Sequence, residues 1–385
     1  MKKRMKQLLS LTIATTLLIT AASGCGSSDS SNSTNTDSNN NEESTSTASV
    51  SDGAYFDKNA SVEEVLTKAA SEEKIGNWGL GDQYEVLALL AKYDLQTSLL
   101  NQGFDMDGFD DDTLLLASAM TYNELGLVEN DYDGAYNYGS DSIGVIDFNK
   151  EGVAMLEDNL ICKKEFAEQN PNTVKAFIYA SMKGWEYAVN HPEEAAEIVF
   201  NNGSSVSMEH QNYMATEMAK LVSTNTNGDT ITDYGIMDDD AMQQTLDIAK
   251  EYITLDDASA NDKLKDMTLD DVRDTSYWTD AMQQNFDTPE KTDVTIQLKW
   301  LPQAQFMGYY VAKDKGYYDE VGLNVNILSG GGDISETTAV YNGTVDFGSS
   351  WLAPTISSNA GGMDLLEIAQ VSQSSGMVLI YKYNE

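Results

Sequence analysis

Residues 294–328, VTIQLKWLPQAQFMGYYVAKDKGYYDEVGLNVNIL, contain two strand patterns with a helical pattern between them. Apolar and polar residues alternate over 294–298 and again over 323–327, and a period of two residues is typical of half-buried strands. The intervening residues 303–315 have helical spacing and end near Gly316. A strand, a helix and a strand in this order predict two parallel strands joined by a right-handed crossover.

The residues after this stretch continue the alternation of strands and helices. Three glycines at 330–332 precede Asp333 and Glu336, whose spacing predicts a capping box that opens a helix. Apolar residues predict further strands at 345–347 and 377–381. This region therefore predicts a parallel sheet with helical crossovers.

The residues before it divide into a second α/β region and a helical region. A short strand is predicted at 74–78, followed by a glycine-punctuated turn and a capping box of Asp82 with Glu85. Residues 171–250 carry helical periodicity. The polar residues 284–293 are typical of a linker. The whole chain is thus predicted to be α/β.

The N-terminal residues have the pattern of an export signal. A basic start is followed by an apolar stretch at 8–19, which is too short to span a bilayer comfortably, and small residues then lead directly to Cys25. We expect residues 1–24 to be a lipoprotein signal peptide and Cys25 to carry the lipid; an ordinary secretory signal is the alternative. Residues 25–52 are rich in Ser, Thr and Asn and predict a disordered polar tether.

The composition excludes several classes of function. The 385 residues include 23 Lys plus Arg and 62 Asp plus Glu, which gives a formal net charge of −39. A surface this negative repels phosphates, so nucleic acid is not an expected partner. The chain has only 2 Cys and 2 His, which argues against a disulfide scaffold or a zinc site. We expect neither a metal nor a cofactor, and we expect both His191 and His210 to be solvated.

Several separated segments carry a resemblance to one family, and they are 294–325, 76–93, 103–109, 118–126, 151–160, 234–252 and 271–278. Together they resemble the type II solute-binding proteins of ABC importers, in the branch related to thiamine-pyrimidine synthases. The resemblance implies a two-lobed periplasmic-binding-protein fold of type II, a membrane permease as partner and a monomeric protein outside the cytoplasmic membrane, which the lipid would anchor to the membrane's outer face.

The order of these segments differs from the family's order. In the family, the segment matching 294–325 comes first, so this sequence resembles a circularly permuted member. We expect lobe two at 53–162 and lobe one at 163–385, with a single covalent crossing between the lobes near 159–163. Lobe one would comprise a helical part at 163–283, the linker at 284–293 and the family's N-terminal βαβ part at 294–385. A natural rearrangement, an engineered one and an assembly error would each produce this order.

Aromatic and polar residues at predicted strand ends are the candidate ligand contacts in lobe one. Ligands of two-lobed binding proteins lie near strand carboxyl ends and helix N-termini, and aromatic rings there stack on flat heterocycles. A purely structural place in the core is the alternative for the aromatic members of this set. The candidates are Trp300, Gln305, Phe306, Tyr309, Trp351 and Ser374.

A glycine-rich turn and a polar cluster provide the candidates in lobe two. Backbone amides at a helix start suit an anion or a polar ring edge, although any tight strand-to-helix turn favours glycine. Carboxylate and amide groups recognise amino and ring-nitrogen atoms; a capped surface turn is the alternative for the cluster. The candidates are Trp78, Gly79, Tyr84, Tyr122, Asn123 and Glu124.

The resemblance implies a planar, nitrogen-rich and nearly uncharged ligand, either a thiamine pyrimidine precursor or riboflavin. No Arg occurs in 74–126 or 294–351, which disfavours sulfonate or nitrate because such anions prefer a guanidinium fork. An enzyme of the thiamine-pyrimidine synthase type is the alternative. The cysteine run and the histidine of those enzymes are missing from the matching residues 118–124 and 299–312, so we expect no enzymatic activity. A surface receptor without a transport role is a third possibility.

Overall fold

Within residues 55–384, which the computed structural model describes, ten strands form one five-stranded sheet in lobe one and, in lobe two, a three-stranded and a two-stranded sheet that an isolated parallel bridge joins. These residues belong to one compact unit. The strands are β1 Gly76–Asn77, β2 Leu100–Asn101, β3 Ala117–Met120, β4 Ile143–Asp147, β5 Asn159–Lys163, β6 Asp293–Gln297, β7 Asn324–Leu328, β8 Phe347–Ser350, β9 Leu365–Gln370 and β10 Met377–Lys382.

Helices cover the faces of both sheets, and none among the described residues is both long and apolar enough to cross a membrane. The predicted signal peptide, Cys25 and the whole of the predicted tether lie outside the described residues. The helices are α1 Val62–Ser71, α2 Gln83–Lys92, α3 Asp107–Asp110, α4 Glu124–Glu129, α5 Phe148–Glu151, α6 Lys164–Gln169, α7 Pro171–Asn190, α8 Pro192–Asn201, α9 Met208–Ser223, α10 Asp239–Tyr252, α11 Ala258–Asp266, α12 Thr275–Met282, α13 Met307–Asp314, α14 Tyr317–Glu320, α15 Glu336–Tyr341 and α16 Leu352–Ala360.

The sheet of lobe one contains both strands predicted within residues 294–328. Its strand order is β7-β6-β8-β5-β9. β6 pairs in parallel with β7, with Ile296 opposite Ile327, and in parallel with β8. This confirms the parallel strand pair predicted from the alternation in 294–328. β5 is antiparallel to both of its neighbours.

The sheet of lobe two repeats the same arrangement. β1 pairs in parallel with β2, and a parallel bridge between Ile75 and Leu116 joins it to the segment that leads into β3. β10 lies between β3 and β4 and is antiparallel to both. Each lobe therefore builds its sheet from four strands of one continuous region and inserts one antiparallel strand from elsewhere in the chain.

The inserted strands differ from the predicted division of the chain at 162/163. β5 belongs to the sheet of lobe one, and β10 belongs to the sheet of lobe two. The chain thus crosses between the lobes twice, through 152–158 and 371–376, here called the crossing segments. The prediction of a single crossing is wrong, since β10 returns to the sheet of lobe two. The sequence pattern does not reveal this because β10 is buried along its whole length. Such a strand has no alternation that identifies its sheet.

Buried hydrogen bonds hold the crossing segments side by side. The Glu157 carboxylate accepts from Ser375 Oγ at 2.9 Å and from Gly376 N at 3.1 Å. Asp158 accepts from Ser372 Oγ at 3.3 Å. Asn149, at the start of α5, bonds the backbone of Ser375 through both its amide nitrogen and its oxygen, at 2.8 and 3.0 Å. The two connections therefore form one hydrogen-bonded ribbon.

Two predicted capping boxes are absent at their expected residues. α15 begins two residues later than predicted, with Ser335 rather than Asp333 as its N-cap, and the Ser335 hydroxyl accepts from Thr338 N at 3.2 Å. Asp82 precedes α2 without capping it through its side chain, because that carboxylate accepts from Asn77 and Leu80 instead. Glu85 turns inward and accepts from the backbone of Met155 in a crossing segment. Tertiary contacts have thus recruited acids that the local pattern assigned to caps.

Glycines allow α7 and α13 to cross at close range in lobe one. A Cβ on Gly184 would lie 2.1 Å from Gly308 O, and a Cβ on Gly308 would lie 2.2 Å from the ring of Trp185. Trp185 is fully buried against Tyr309, with ring centroids 5.8 Å apart. The helix pair that supports the β6 region therefore has no room for a methyl group.

We expect Gly184→Ala to destabilise the protein by roughly 1–3 kcal/mol, because the added methyl overpacks the α7–α13 crossing. Urea unfolding followed by circular dichroism measures this change. Gly361→Ala is the matched control, since its Cβ would meet only ordinary contacts at 3.4 Å. Equal unfolding free energies for the two variants would contradict the packing argument.

Candidate ligand-binding cleft

A cleft between the two lobes collects side chains from the carboxyl ends of four strands. Its cavity volume is about 80 Å³, which is below the roughly 300–1,000 Å³ of typical small-molecule sites. β6 and β8 of lobe one and β1 and β3 of lobe two all end at this cleft. The lining residues are Trp78, Leu80, Phe104, Met120, Tyr122, Asn123, Glu124, Lys299, Trp300, Gln303, Gln305 and Trp351.

The wall from lobe one depends on a glycine loop. Gly330 N donates to Trp300 O at 2.8 Å, and Gly331 N donates to Lys299 O at 3.2 Å. A Cβ on Gly330 would lie 2.1 Å from Leu298 O, so only glycine permits this approach. The glycine run at 330–332 therefore fixes the backbone that carries Trp300.

The wall from lobe two meets Trp300 directly. Trp78 Nε1 donates to Gly103 O at 3.0 Å and so holds the loop that precedes α3. Phe104, the next residue in that loop, packs edge-on against Trp300 with ring centroids 4.8 Å apart. Phe104 is 56% exposed although it touches the opposite lobe. This aromatic pair closes one side of the cleft.

Glu124 is a buried acid among these rings. One carboxylate oxygen accepts from Met120 N at 2.9 Å, and the other accepts from Asn123 Nδ2 at 2.7 Å. Burial raises the pKa of Glu124 to about 7, and the hydrogen bonds from Met120 and Asn123 oppose that rise. Each oxygen keeps further acceptor capacity for a donor on a ligand.

Lys299 is the cationic residue among those that line the cleft. Its ammonium lies 3.4 Å from Glu336 Oε1 and 4.7 Å from the ring centroid of Trp351. Glu336 also accepts from Ser350 Oγ at 2.6 Å. The positive charge is therefore engaged by a carboxylate and by an aromatic face. No Arg occurs among the described residues that line the cleft.

A chain of amides links the cleft to the crossing segments. Gln303 Nε2 donates to Gln305 Oε1 at 2.9 Å, and Gln305 Nε2 donates to Asp158 Oδ1 at 2.8 Å. Burial raises the pKa of Asp158 to about 7, while the hydrogen bonds from Gln305 and Ser372 lower it. The amides of the cleft are thus ordered by an acid located where the chain passes between the lobes.

The structure brings seven of the twelve predicted contact residues to this cleft. They come from both lobes, as a site between the lobes requires. The seven residues are Trp78, Tyr122, Asn123, Glu124, Trp300, Gln305 and Trp351.

The other five predicted residues lie elsewhere. Phe306 and Tyr309 are fully buried in the core, and Tyr309 packs edge-on against Trp185 of α7. Ser374 lines a separate surface cavity beside a crossing segment. Gly79 has a φ of 76° and serves the turn, and Tyr84 packs beside the α10–α16 cluster.

Five cleft residues were not predicted. Leu80 and Phe104 lie in loops, and loop residues carry no periodicity. Met120 lies two residues before the predicted Tyr122, and Gln303 lies two residues before the predicted Gln305. Lys299 offered the strongest missed signal, since it is a basic residue at the end of an apolar strand.

His210 also differs from its prediction. It is 1% exposed and lies behind Asn123, with His210 Nε2 2.8 Å from Asn123 Oδ1. The expectation of a solvated side chain is wrong, because α9 packs this face against the neighbouring lobe rather than presenting it to water. Within residues 55–384, no group of three or more His, Cys, Asp or Glu side chains is arranged to hold a metal ion.

Comparison with known proteins supports a substrate-binding or thiamine-related role. The family described as NMT1/THI5 like matches residues 112–195 and 303–385, which together are less than half of the chain. This domain is found in periplasmic binding proteins of the SsuA/ThiY type, and the family includes ABC solute-binding proteins and thiamine synthase-like proteins. The mixed α/β architecture agrees with a periplasmic-binding-protein-like fold. No curated protein matches the chain.

Buried acids away from the ligand cleft make stability depend on pH. Burial raises the pKa of Glu367 from 4.5 to about 8, while Asn159 and Arg273 lower it. The folded protein then holds a proton that the unfolded chain releases at lower pH. Stability from this group is full below 4.5 and is lost as pH rises through about 8.

We expect Glu367→Gln to flatten this pH dependence. The variant should match the wild type near pH 5 and exceed its unfolding free energy by roughly 1–3 kcal/mol near pH 9, because the amide never ionises. Chemical denaturation across this range measures the difference. Glu193→Gln removes one exposed carboxylate and controls for net charge; the same flattening in that control would contradict the assignment to Glu367.

Proposed function

We propose that this protein is an extracytoplasmic solute-binding protein of an ABC importer and captures a planar nitrogen heterocycle between its two lobes. One observation carries the proposal. Aromatic rings from both lobes and the buried acceptor Glu124 line the same cleft. Rings bind flat ligands through their faces, and a carboxylate binds amino groups.

The lining favours a thiamine pyrimidine precursor or riboflavin as ligand. Trp78, Trp300 and Trp351 offer apolar faces, while Gln303 and Gln305 offer amides of both polarities. Glu124 accepts hydrogen bonds from an exocyclic amine. Because Lys299 is engaged by Glu336, a strongly anionic ligand gains little from it.

Closure of the lobes is the proposed capture mechanism. The rings of lobe one and the acid of lobe two approach the same ligand only when the lobes are together. A ligand that touches both lobes therefore shifts the population towards the closed form. We propose that the importer permease recognises this form, with the protein acting as a monomer anchored through lipidated Cys25 on the outer face of the membrane.

An enzyme of the thiamine-pyrimidine synthase type remains the alternative function. Enzymes of this type carry thiol and imidazole groups at the site. The described residues that line the cleft include neither Cys nor His. This composition favours the binding protein.

We further propose that the chain is circularly permuted relative to the family. Phe56 and Tyr383 form a parallel bridge, and Asn384 N donates to Phe56 O at 2.8 Å. The two ends of the described chain are therefore neighbours, as a permutation requires. The four-strand regions of the two lobes are each continuous, with the linker at 284–293 leading into that of lobe one.

A thermal-shift screen of the purified full chain tests the ligand class. We expect the hydroxymethyl aminopyrimidine of thiamine or riboflavin to raise the melting temperature, and sulfonates to leave it unchanged.

Trp300→Ala and Glu124→Ala should each weaken binding about tenfold or more in calorimetry, because each removes a contact of about 1.4 kcal/mol or more. Wild-type affinity in both variants would reject the cleft as the site.

Phe104→Ala tests the contact between the lobes. Loss of the ring removes its packing on Trp300, so we expect ligand dissociation to accelerate about fivefold or more, with a smaller change in association. Stopped-flow tryptophan fluorescence measures both rates. Tyr341→Ala, an exposed aromatic of lobe one outside the cleft lining, is the control. Unchanged dissociation in Phe104→Ala would remove the closing role of this pair.

A further inference from the structure

A buried histidine of lobe one lies between two side chains of lobe two. His210 belongs to α9, and its Nδ1 is 2.6 Å from the Tyr132 hydroxyl while its Nε2 is 2.8 Å from Asn123 Oδ1. Burial lowers the pKa of His210 from 6.5 to about 4. The imidazole is therefore neutral near physiological pH, with one donor and one acceptor nitrogen.

The donor and acceptor roles in this series of hydrogen bonds follow from its last member, Glu124. Glu124 Oε1 accepts from Asn123 Nδ2 at 2.7 Å, so Asn123 presents its Oδ1 to the histidine. His210 Nε2 is then the donor, and its Nδ1 accepts from Tyr132. Burial raises the pKa of Tyr132 to about 12, which keeps its hydroxyl proton available.

This series of hydrogen bonds forms only where the two lobes meet. Leu221, near the C-terminal end of α9, accepts from Gln373 N of a crossing segment at 2.8 Å. His210 lies about 16 Å farther along the helix, at its other end. There Tyr213 Oη donates to Thr121 O at 2.9 Å. A rotation about the crossing segments therefore moves His210 away from Asn123 and Tyr132.

We propose that His210 and Asn123 are positioning residues that favour the ionised form of the Glu124 carboxylate and aim it as an acceptor for the ligand, and that closure of the lobes completes this arrangement. The inference rests on the proposed function, because it concerns the same cleft. His210 touches no ligand itself. It acts through the Asn123 amide, which without the Nε2 donor is free to turn its oxygen towards Glu124.

Other charged groups face Glu124 and set the background for its titration. Asp82 at the start of α2 raises the pKa of Glu124. Lys299 lines the cleft from lobe one and lowers the pKa of Asp82 and of Asp158. The crossing-segment acids Glu157 and Asp158 lie close enough to raise the pKa of neighbouring Tyr122. All of these groups stay in place when only His210 is changed.

Nitrogen-15 NMR of the imidazoles tests the chain without a ligand. The sequence contains only 2 His, and His191 is exposed, so the purified full chain should give signals from two imidazoles, each with an Nδ1 and an Nε2. We expect His210 to remain the neutral tautomer with hydrogen on Nε2 down to about pH 5. A proton on Nδ1 at neutral pH, or titration near 6.5, would overturn the proposal.

Binding of the hydroxymethyl aminopyrimidine of thiamine tests the functional part. Glutamine places an amide nitrogen near the Nε2 position, whereas methionine has no donor. We expect His210→Met to weaken binding about tenfold and to move the pH at which binding is lost upward. His210→Gln should recover affinity to within about threefold. His191→Gln, the same substitution at the exposed histidine, should change neither quantity.

Tyr132→Phe keeps the ring and supports the test if His210→Met does not fold. It removes the donor to Nδ1, so we expect the Nδ1–H tautomer to become populated and affinity to fall about threefold. Unchanged affinity and pH midpoint in a folded His210→Met, or in Tyr132→Phe if the former does not fold, would overturn the positioning role. If the wild type binds no aminopyrimidine while the NMR result holds, the proposed ligand fails and the affinity comparison passes to riboflavin as probe.

Discussion

The hydrogen-bonded ribbon formed by the two crossing segments is the constraint on which the rest of the fold depends. Glu157 and Asp158 on one segment accept from Ser375 and Ser372 on the other. Both acids are buried, and desolvation raises the pKa of each. A buried acid persists only where neighbouring donors compensate for lost water. The ribbon therefore has one well-defined arrangement, and it fixes the axis between the lobes.

The cleft takes its chemistry from this axis. Gln305 reaches Asp158 in the ribbon, and Glu85 of lobe two reaches the backbone of Met155 in the same region. The aromatic walls lie at strand ends on either side, where parallel strands bring loop residues together. The polar residues of the cleft and the acids of the crossing segments thus belong to one hydrogen-bonded network, and the aromatic rings lie next to it.

The sequence predicted what depends on local patterns. Alternation identified the strands of 294–328, and strand ends located Trp300, Trp351 and Tyr122 at the cleft. It did not assign the sheet of β10, because a strand buried on both faces has no alternation. Nor did it reveal the burial of His210, since that depends on a lobe far away in sequence. Phe306 shows the same limit, because an aromatic residue at helical spacing suits a core and a ligand equally.

The bridge between Phe56 and Tyr383 has a mechanical consequence. Tyr383 directly follows β10, an inner strand of the sheet of lobe two. Anything attached through the chain before residue 55 therefore pulls on lobe two and not on lobe one. Relative to such an attachment point, lobe two stays in place and lobe one moves when the cleft opens. In a protein held at one end, this asymmetry decides which lobe sweeps through the surrounding solution as the cleft opens.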